Sequence, residues 1–318
     1  MTMTATATID VLQTGRMPSG GTLDAPFALH LQPEGAGPVD PALAAQIRAI
    51  CAAGPKKVTA AIINSLPNLR IIANFGVGYD RVDVDAASRR GIVVTNTPDV
   101  LTEEVADFTL GLMIATVRLI PAADAFVRSG AWEGAGFPLT ASLRGRRIGL
   151  LGMGRIGAAI ARRIAAMGLE VAYHSRSPAK VPYAYYDSAL GLAEASDVLI
   201  VIVPGGAATD GLVDTAMLEA LGPQGVLINM ARGSVVDEPA LIDALTHGRI
   251  LSAGLDVFMH EPRVSPALRA LQNVVLTPHA GSATLTTRNA MGDMVHANIR
   301  NWFETGHALH PVNLDLIR

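Results

Sequence analysis

Between residues 146 and 281 the chain repeats one pattern six times. A short, almost wholly apolar run gives way to a stretch that is helix-patterned or rich in turn residues. The runs are RRIGLLG, LEVAYHS, DVLIVIVP, GVLINMAR, ILSAGLDVF and NVVLTPHAG. Strands whose side chains alternate in and out of a core show a period of two. Runs that stay apolar throughout belong to strands covered on both faces. Only helices laid on either side supply that cover, so the pattern calls for a doubly wound parallel sheet. Hydrophobic residues make up 50% of the chain and aromatics only 4%, so Ala, Val, Ile, Leu and Gly must fill its core.

A shorter series of the same kind precedes this one. IDVLQTG, FALHL, LRIIANFGVG and GIVVTNTP predict strands, and the series ends near Pro98. DPALAAQIRAICAAG, residues 40–54, has apolar residues at helical spacing, with Asp40 as cap before Pro41. TEEVADFTLGLMIATVRLI predicts one long helix. Thr102 would cap it, and Glu103 and Glu104 suit the positive end of its dipole. SGAWEGAGFPLTASLRG reads as a loop. TLTTRNAMGDMVHANIRNWFETG predicts a last long helix, which returns the chain to the first domain and makes that domain discontinuous.

The formal net charge of -3 argues against nucleic acid or an anionic membrane as the main partner. No apolar run reaches the roughly 18 residues needed to span a bilayer. MTMTATATID has neither the basic start nor the apolar centre of a secretion signal. The single cysteine, Cys51, excludes an internal disulfide and reads as a small buried apolar residue. These features predict a cytoplasmic protein.

The first of the six runs leads into Gly152-Met153-Gly154-Arg155-Ile156-Gly157, which opens an amphipathic helix. A G-x-G-x-x-G alone is weak, but between a strand and a helix it is the dinucleotide-binding fingerprint. Gly152 permits the tight turn, Gly154 lets backbone approach a pyrophosphate, and Gly157 lets helix and sheet pack. The acid expected about 20 residues on, which holds a ribose, is missing. Ser175 and Arg176 stand there, in HSRSP. A guanidinium pairs with a phosphate through two charge-assisted hydrogen bonds, and a hydroxyl adds a third. The expectation is NADP(H), with NAD(H) as the alternative and Arg176 then a solvated surface residue. No metal is expected.

Polar residues then recur where the later runs end. Arg232 closes GVLINMAR, Asp256 lies near the end of ILSAGLDVF, Glu261 follows in HEP, and His279 follows NVVLTP. Ligands of open α/β sheets gather at such strand ends, and unpaired burial of these groups costs too much to be incidental. Hydride transfer to a 2-oxo acid needs what they offer. Arg232 binds the carboxylate and polarises the carbonyl. His279, protonated, donates a proton to the oxygen. Glu261 favours the imidazolium and fixes its ring. Asp256 accepts from the nicotinamide carboxamide or tunes the site.

Together NFGVGYDRVDV, GLLGMGRIG, NMARGSVVDEPALIDAL, AGLDVFMHEP and NVVLTPHAGSAT resemble the D-isomer-specific 2-hydroxyacid dehydrogenase family, in order and spacing, from about residue 70 to residue 284. FPLTASLRGRRIGLLGMGRIG and HSRSP resemble its glyoxylate/hydroxypyruvate reductase branch, hydroxyphenylpyruvate reductases included. The resemblance implies two Rossmann-like doubly wound α/β domains. Residues 1–100 with 286–318 would form a flavodoxin-like substrate domain, and residues 101–285 the NADP-binding one. It implies Arg232, Glu261 and His279 as the catalytic set, and the amides of Val77 and Gly78 as a grip on the substrate carboxylate. Pro204, Met230, Ala231, Gly281 and Ser282 match positions lining the cofactor. Trp132 matches a residue that reaches a neighbouring subunit in relatives, and a homodimer is implied. The loop VPGGAATDGLV departs from the family, with glycines where a Leu-Thr pair is common.

The reaction implied is NADPH-dependent reduction of small 2-oxo acids, glyoxylate and hydroxypyruvate, to D-2-hydroxy acids. A reductase for bulkier acids such as hydroxyphenylpyruvate is the alternative. A non-enzymatic dinucleotide-sensing corepressor or scaffold is a third reading, against which the complete triad and short tails speak.

Overall fold

The structure is a computed structural model and describes residues 8–32 and 37–317. They fall into two compact units. One runs to Leu101 and resumes at Ala283; the other is Thr102–Ser282.

The first unit holds a five-stranded sheet: β1 (Ile9–Gln13), β2 (Phe27–Leu31), β3 (Ile47–Ala52), β4 (Ile71–Asn74) and β5 (Val93–Thr95). Their order is β2-β1-β3-β4-β5, and every pairing is parallel. This is the flavodoxin-like order of a doubly wound sheet. Helix Leu285–Thr305, capped by the Thr284 hydroxyl on the Thr287 N–H, packs through Val295 and Ile299 with Val11, Ala49 and Ile71.

Residues 40–54 correct the expected helix. Asp40 caps as expected, accepting from the Ala42 and Leu43 N–H groups, but the helix ends at Ala44. The rest becomes β3, with β1 on one side and β4 on the other. Ile47, Ala49, Ile50 and Cys51 have no exposed surface. A short apolar run fits either period, and pairing on both edges decides in favour of the strand.

The second unit holds β6 (Arg147–Leu151), β7 (Glu170–His174), β8 (Ala184–Tyr185), β9 (Val198–Val201), β10 (Val226–Asn229), β11 (Ser252–Leu255) and β12 (Val274–Leu276). Their order is β12-β11-β10-β9-β6-β7-β8, again wholly parallel. The six predicted runs are all strands. The seventh, β8, is two exposed residues with no apolar run to announce it. Order reverses between β6 and β9, which makes the C-terminal end of β6 the switch point where such sheets bind ligands.

The helix expected from Thr102 stops at Val117, three residues short of its predicted end, and a second helix follows where no element was predicted. Thr102–Val117 packs on the sheet, so closely that a Cβ on Gly254 of β11 would lie 2.4 Å from the Thr116 Oγ1. Leu119 takes a left-handed conformation, and Ile120–Arg128 leaves at 62° with no buried residue. Pro121, in that helix's first turn, has no N–H to carry the first helix through. Among the described residues no single helix is long and apolar enough to cross a membrane.

Candidate active site

The parallel sheet of the second unit delivers every strand's C-terminal end to one edge, and the predicted residues other than Val77 and Gly78 collect there. β6 runs into Gly152, whose φ is 115° and where a Cβ would lie 2.7 Å from the Ile202 carbonyl oxygen. A Cβ on Gly157 would come within 2.3 Å of the Gly152 oxygen. Both positions therefore admit glycine alone. Gly154, which starts helix Arg155–Ala166, has no protein atom within 4 Å of where a Cβ would sit. Its side is open, as a pyrophosphate lying on the helix N-terminus requires. Met153 and Ile156 are half-buried beside it, and Arg155 is exposed.

Ser175 and Arg176 follow β7. The Tyr173 hydroxyl donates to the Ala179 carbonyl and accepts the Ala179 N–H, staking this turn to the sheet. Ser175 Oγ donates to the Ser177 carbonyl at 2.7 Å. Arg176 is exposed, and its guanidinium engages no described residue. Residues 174–180 of this turn contain no acid. Pro204 is exposed after β9, Met230 and Ala231 are buried after β10, and Ser282 is buried after Gly281. A Cβ on Gly281 would lie 2.9 Å from the Met230 Cε.

His279 stands after β12 with a left-handed φ of 53°, a conformation a histidine rarely takes. Asp256, 2% exposed, holds it there. Its backbone oxygen accepts the His279 N–H at 2.8 Å. Its carboxylate accepts from the Thr277 hydroxyl, the Ala280 N–H and the Gly281 N–H at 2.7, 2.7 and 2.9 Å. A carboxylate offers about four lone-pair sites, so one stays available beyond this turn. Sequence reading assigns Asp256 to the carboxamide or to tuning the site and misses that it builds the loop that carries the histidine.

Glu261 lies 2.9 Å from the ring, Oε2 on Nδ1, and its Oε1 accepts the Phe258 N–H at 3.1 Å. The carboxylate is thus fixed by backbone and in turn fixes the ring. It holds the proton on Nδ1 and leaves Nε2 as the working nitrogen. The carboxylate side chain is 17% exposed and the imidazole 43%, so the pair is rooted in the protein and open at the ring.

Arg232 follows β10, and its Nη1 donates to the Ala231 carbonyl at 2.7 Å. Two residues that sequence reading passed over hold it. Asn229, 1% exposed, donates to the Arg232 carbonyl and accepts the Ala231 N–H, both at 3.0 Å. Gly233 lies against the next strand's loop, so that a Cβ would meet the Phe258 carbonyl carbon at 1.9 Å. An Asn closing an apolar run was the available signal. Among the described residues no cluster of His, Cys, Asp and Glu fits a metal ion.

Val77 and Gly78 belong to the other unit, in the loop after β4, both half-buried.

The sequence profile of the NAD binding domain of D-isomer specific 2-hydroxyacid dehydrogenases matches residues 110–281. The chain belongs to this family. Among its relatives, glyoxylate/hydroxypyruvate reductase A HPR2 of Arabidopsis thaliana is 46% identical over 267 residues, 84% of this chain and 85% of the relative. Hydroxyphenylpyruvate reductase of Plectranthus scutellarioides is 45% identical over 272 residues, 85% and 86% of the two chains. An NADPH-dependent glyoxylate/hydroxypyruvate reductase from Sinorhizobium meliloti, solved with NADP and malonate, superposes with a TM-score of 0.91. It is 47% identical, over 98% of this chain and 99% of that one. This dehydrogenase is therefore an NAD(P)-dependent oxidoreductase of 2-hydroxy acids.

Proposed function

We propose that the enzyme reduces glyoxylate and hydroxypyruvate to D-2-hydroxy acids with NADPH. One observation carries the chemistry: the His279 imidazole, tied through Nδ1 to Glu261 at 2.9 Å, presents Nε2 on the edge where the glycine turn opens. The nicotinamide, when bound, supplies the hydride. His279 Nε2 gives a proton to the carbonyl oxygen as its charge develops. The adjacent Glu261 carboxylate offsets the charge of the imidazolium before it gives up that proton. Arg232 polarises the same oxygen and pairs with the carboxylate, and the Val77 and Gly78 amides add donors to that anion. Met153, Arg155, Ile156, Pro204, Met230, Ala231, Gly281 and Ser282 line the dinucleotide, and the remaining lone pair of Asp256 takes the carboxamide.

The choice of NADPH rests on Ser175 and Arg176. Arg176→Ala is expected to raise KM for NADPH about tenfold or more while sparing NADH, the loss of a charge-assisted phosphate contact. Equal losses with both cofactors would remove the phosphate assignment. Purified protein is given glyoxylate, hydroxypyruvate and hydroxyphenylpyruvate, with NADPH and NADH in parallel, and the reduced-nicotinamide absorbance is followed. Fast consumption of NADPH with the two small acids is the expected result. A preference for hydroxyphenylpyruvate would favour the second reading, which the relative from Plectranthus scutellarioides supports.

The assembly we propose is a homodimer. Helix Ile120–Arg128 and the following loop expose Ile120, Val127, Trp132 and Leu139, apolar side chains that a partner subunit would cover. A cytoplasmic location suits the lone, fully buried Cys51, whose thiol burial pushes up to about 12, beyond the reach of thiolate chemistry.

A further inference from the structure

In the loop after β4, residues 76–78 have every carbonyl tied to the protein. Asn74, the last residue of β4 and 6% exposed, donates from Nδ2 to the carbonyls of Gly76 and Gly78, both at 3.0 Å. Asn96, just beyond β5, donates from Nδ2 to the Val77 carbonyl at 2.9 Å. The Thr97 N–H adds a second bond to the Gly76 carbonyl at 3.1 Å. The opposite side of the same peptides is bare. Neither the Val77 nor the Gly78 N–H donates to any described residue. Gly76, with a φ of 152°, permits the reversal that separates the two sides.

A loop of alternating carbonyls and amides has no sign of its own. It attracts an anion only when its carbonyls are drawn away and its amides converge. Two side-chain amides, from two neighbouring strands, do that here. The geometry points to Asn74 and Asn96 as the positioning residues of the substrate-carboxylate site. They touch no substrate; they fix which face of residues 76–78 the substrate meets. This rests on the proposed grip of Val77 and Gly78 on that carboxylate.

The test compares glyoxylate with its methyl ester, which keeps the aldehyde and loses the charge. In the wild-type enzyme kcat/KM favours the acid. Asn74→Leu, similar in volume but without the donors, is expected to narrow that preference about tenfold or more, through KM for the acid. The ester's kcat/KM and the NADPH Kd stay within about twofold of wild type. Asn96→Leu, which removes one hydrogen bond rather than two, narrows the preference by about threefold, and it carries the test alone if Asn74→Leu is recovered unfolded. A preference unchanged in a folded variant overturns the positioning role and leaves the Val77 and Gly78 grip standing. A wild-type enzyme without any preference for the acid overturns that grip, and the positioning role with it. Acid and ester falling together would make both asparagines merely structural and also overturn it.

Discussion

The loop after β4 and the loop after β10 begin alike and end in different chemistry. Each follows an interior strand that closes on a buried asparagine, Asn74 in one unit and Asn229 in the other. Each asparagine folds its side chain back onto the next few residues. Asn74 spends its amide donor on two carbonyls and so leaves N–H groups on the open side. Asn229 uses both ends, accepting the Ala231 N–H and donating to the Arg232 carbonyl, and so neutralises the backbone. What the loop after β10 contributes to the proposed site is a side chain, the Arg232 guanidinium. What remains after β4 is the backbone itself. A functional side chain is visible in a sequence, whereas a functional peptide is visible only through the residues that hold it.

The largest effect separating the two loops belongs to a glycine. Gly233→Ala puts a Cβ within 1.9 Å of the Phe258 backbone, where nothing flexible can yield. A loss of stability above about 4 kcal/mol is expected, read as absence of soluble enzyme or collapse of the melting transition. At Gly76 an added Cβ meets only ordinary contacts, the nearest at 3.5 Å, and the penalty is that of its φ, about 1–3 kcal/mol. Similar melting curves for the two alanine variants would mean that the loops are held with equal firmness. Next in size is His279→Ala. Turnover should fall by about 10²–10⁴ with NADPH binding by fluorescence titration unchanged, the loss of a general acid. Nothing equivalent exists after β4, because no side-chain deletion removes an amide. Asn229→Leu comes third. It strands the Ala231 N–H, at about 1–3 kcal/mol for an unpaired buried group, leaves the Arg232 carbonyl only the Val235 N–H at 3.2 Å, and loosens the arginine. A fall in Tm with kcat/KM untouched would show that Arg232 is placed by something else.

The same contrast explains what the sequence disclosed. Arg232, Glu261 and His279 were legible because charged groups at the ends of apolar runs have few structural excuses. The glycines of the dinucleotide turn were legible because steric demands at Gly152 and Gly157 come from neighbours a few residues away or on the adjacent strand end. Asn74, Asn96 and Asn229 were passed over, since an asparagine after a strand reads as ordinary turn chemistry. Residues 47–52 were misread because their central position in the sheet, which only the pairing of β1 and β4 with β3 reveals, decides between two periods that fit equally. The end of the helix that starts at Thr102 was legible to within three residues, whereas helix Ile120–Arg128, which buries no residue, was passed over.

The smallest effect lies in the unit that holds β4. His296, on helix Leu285–Thr305, is 7% exposed and its Nε2 has no hydrogen-bond partner among the described residues. Three polar groups face it: the Ser19 hydroxyl 3.4 Å from Nδ1, Asp293 one turn earlier, and Arg300 one turn later. Burial disfavours the imidazolium and Arg300 repels it, and Asp293 does not make up the difference, so its pKa is held below the ordinary range. The unfolded chain takes up this proton near pH ~6.5, while the folded one resists it. Stability therefore rises with pH through that range. It is complete above about pH 6.5, falls as the pH drops below it, and levels off once the folded imidazole is itself protonated. His296→Gln removes the proton from both states, so Tm measured from about pH 7.5 down to about pH 5.5 should decline less steeply than in wild type. His296 lies in the unit that carries Asn74, so the change should be confined to that unit. Parallel curves for the two proteins would mean that the acid sensitivity comes from other groups and that His296 is protonated as readily folded as unfolded.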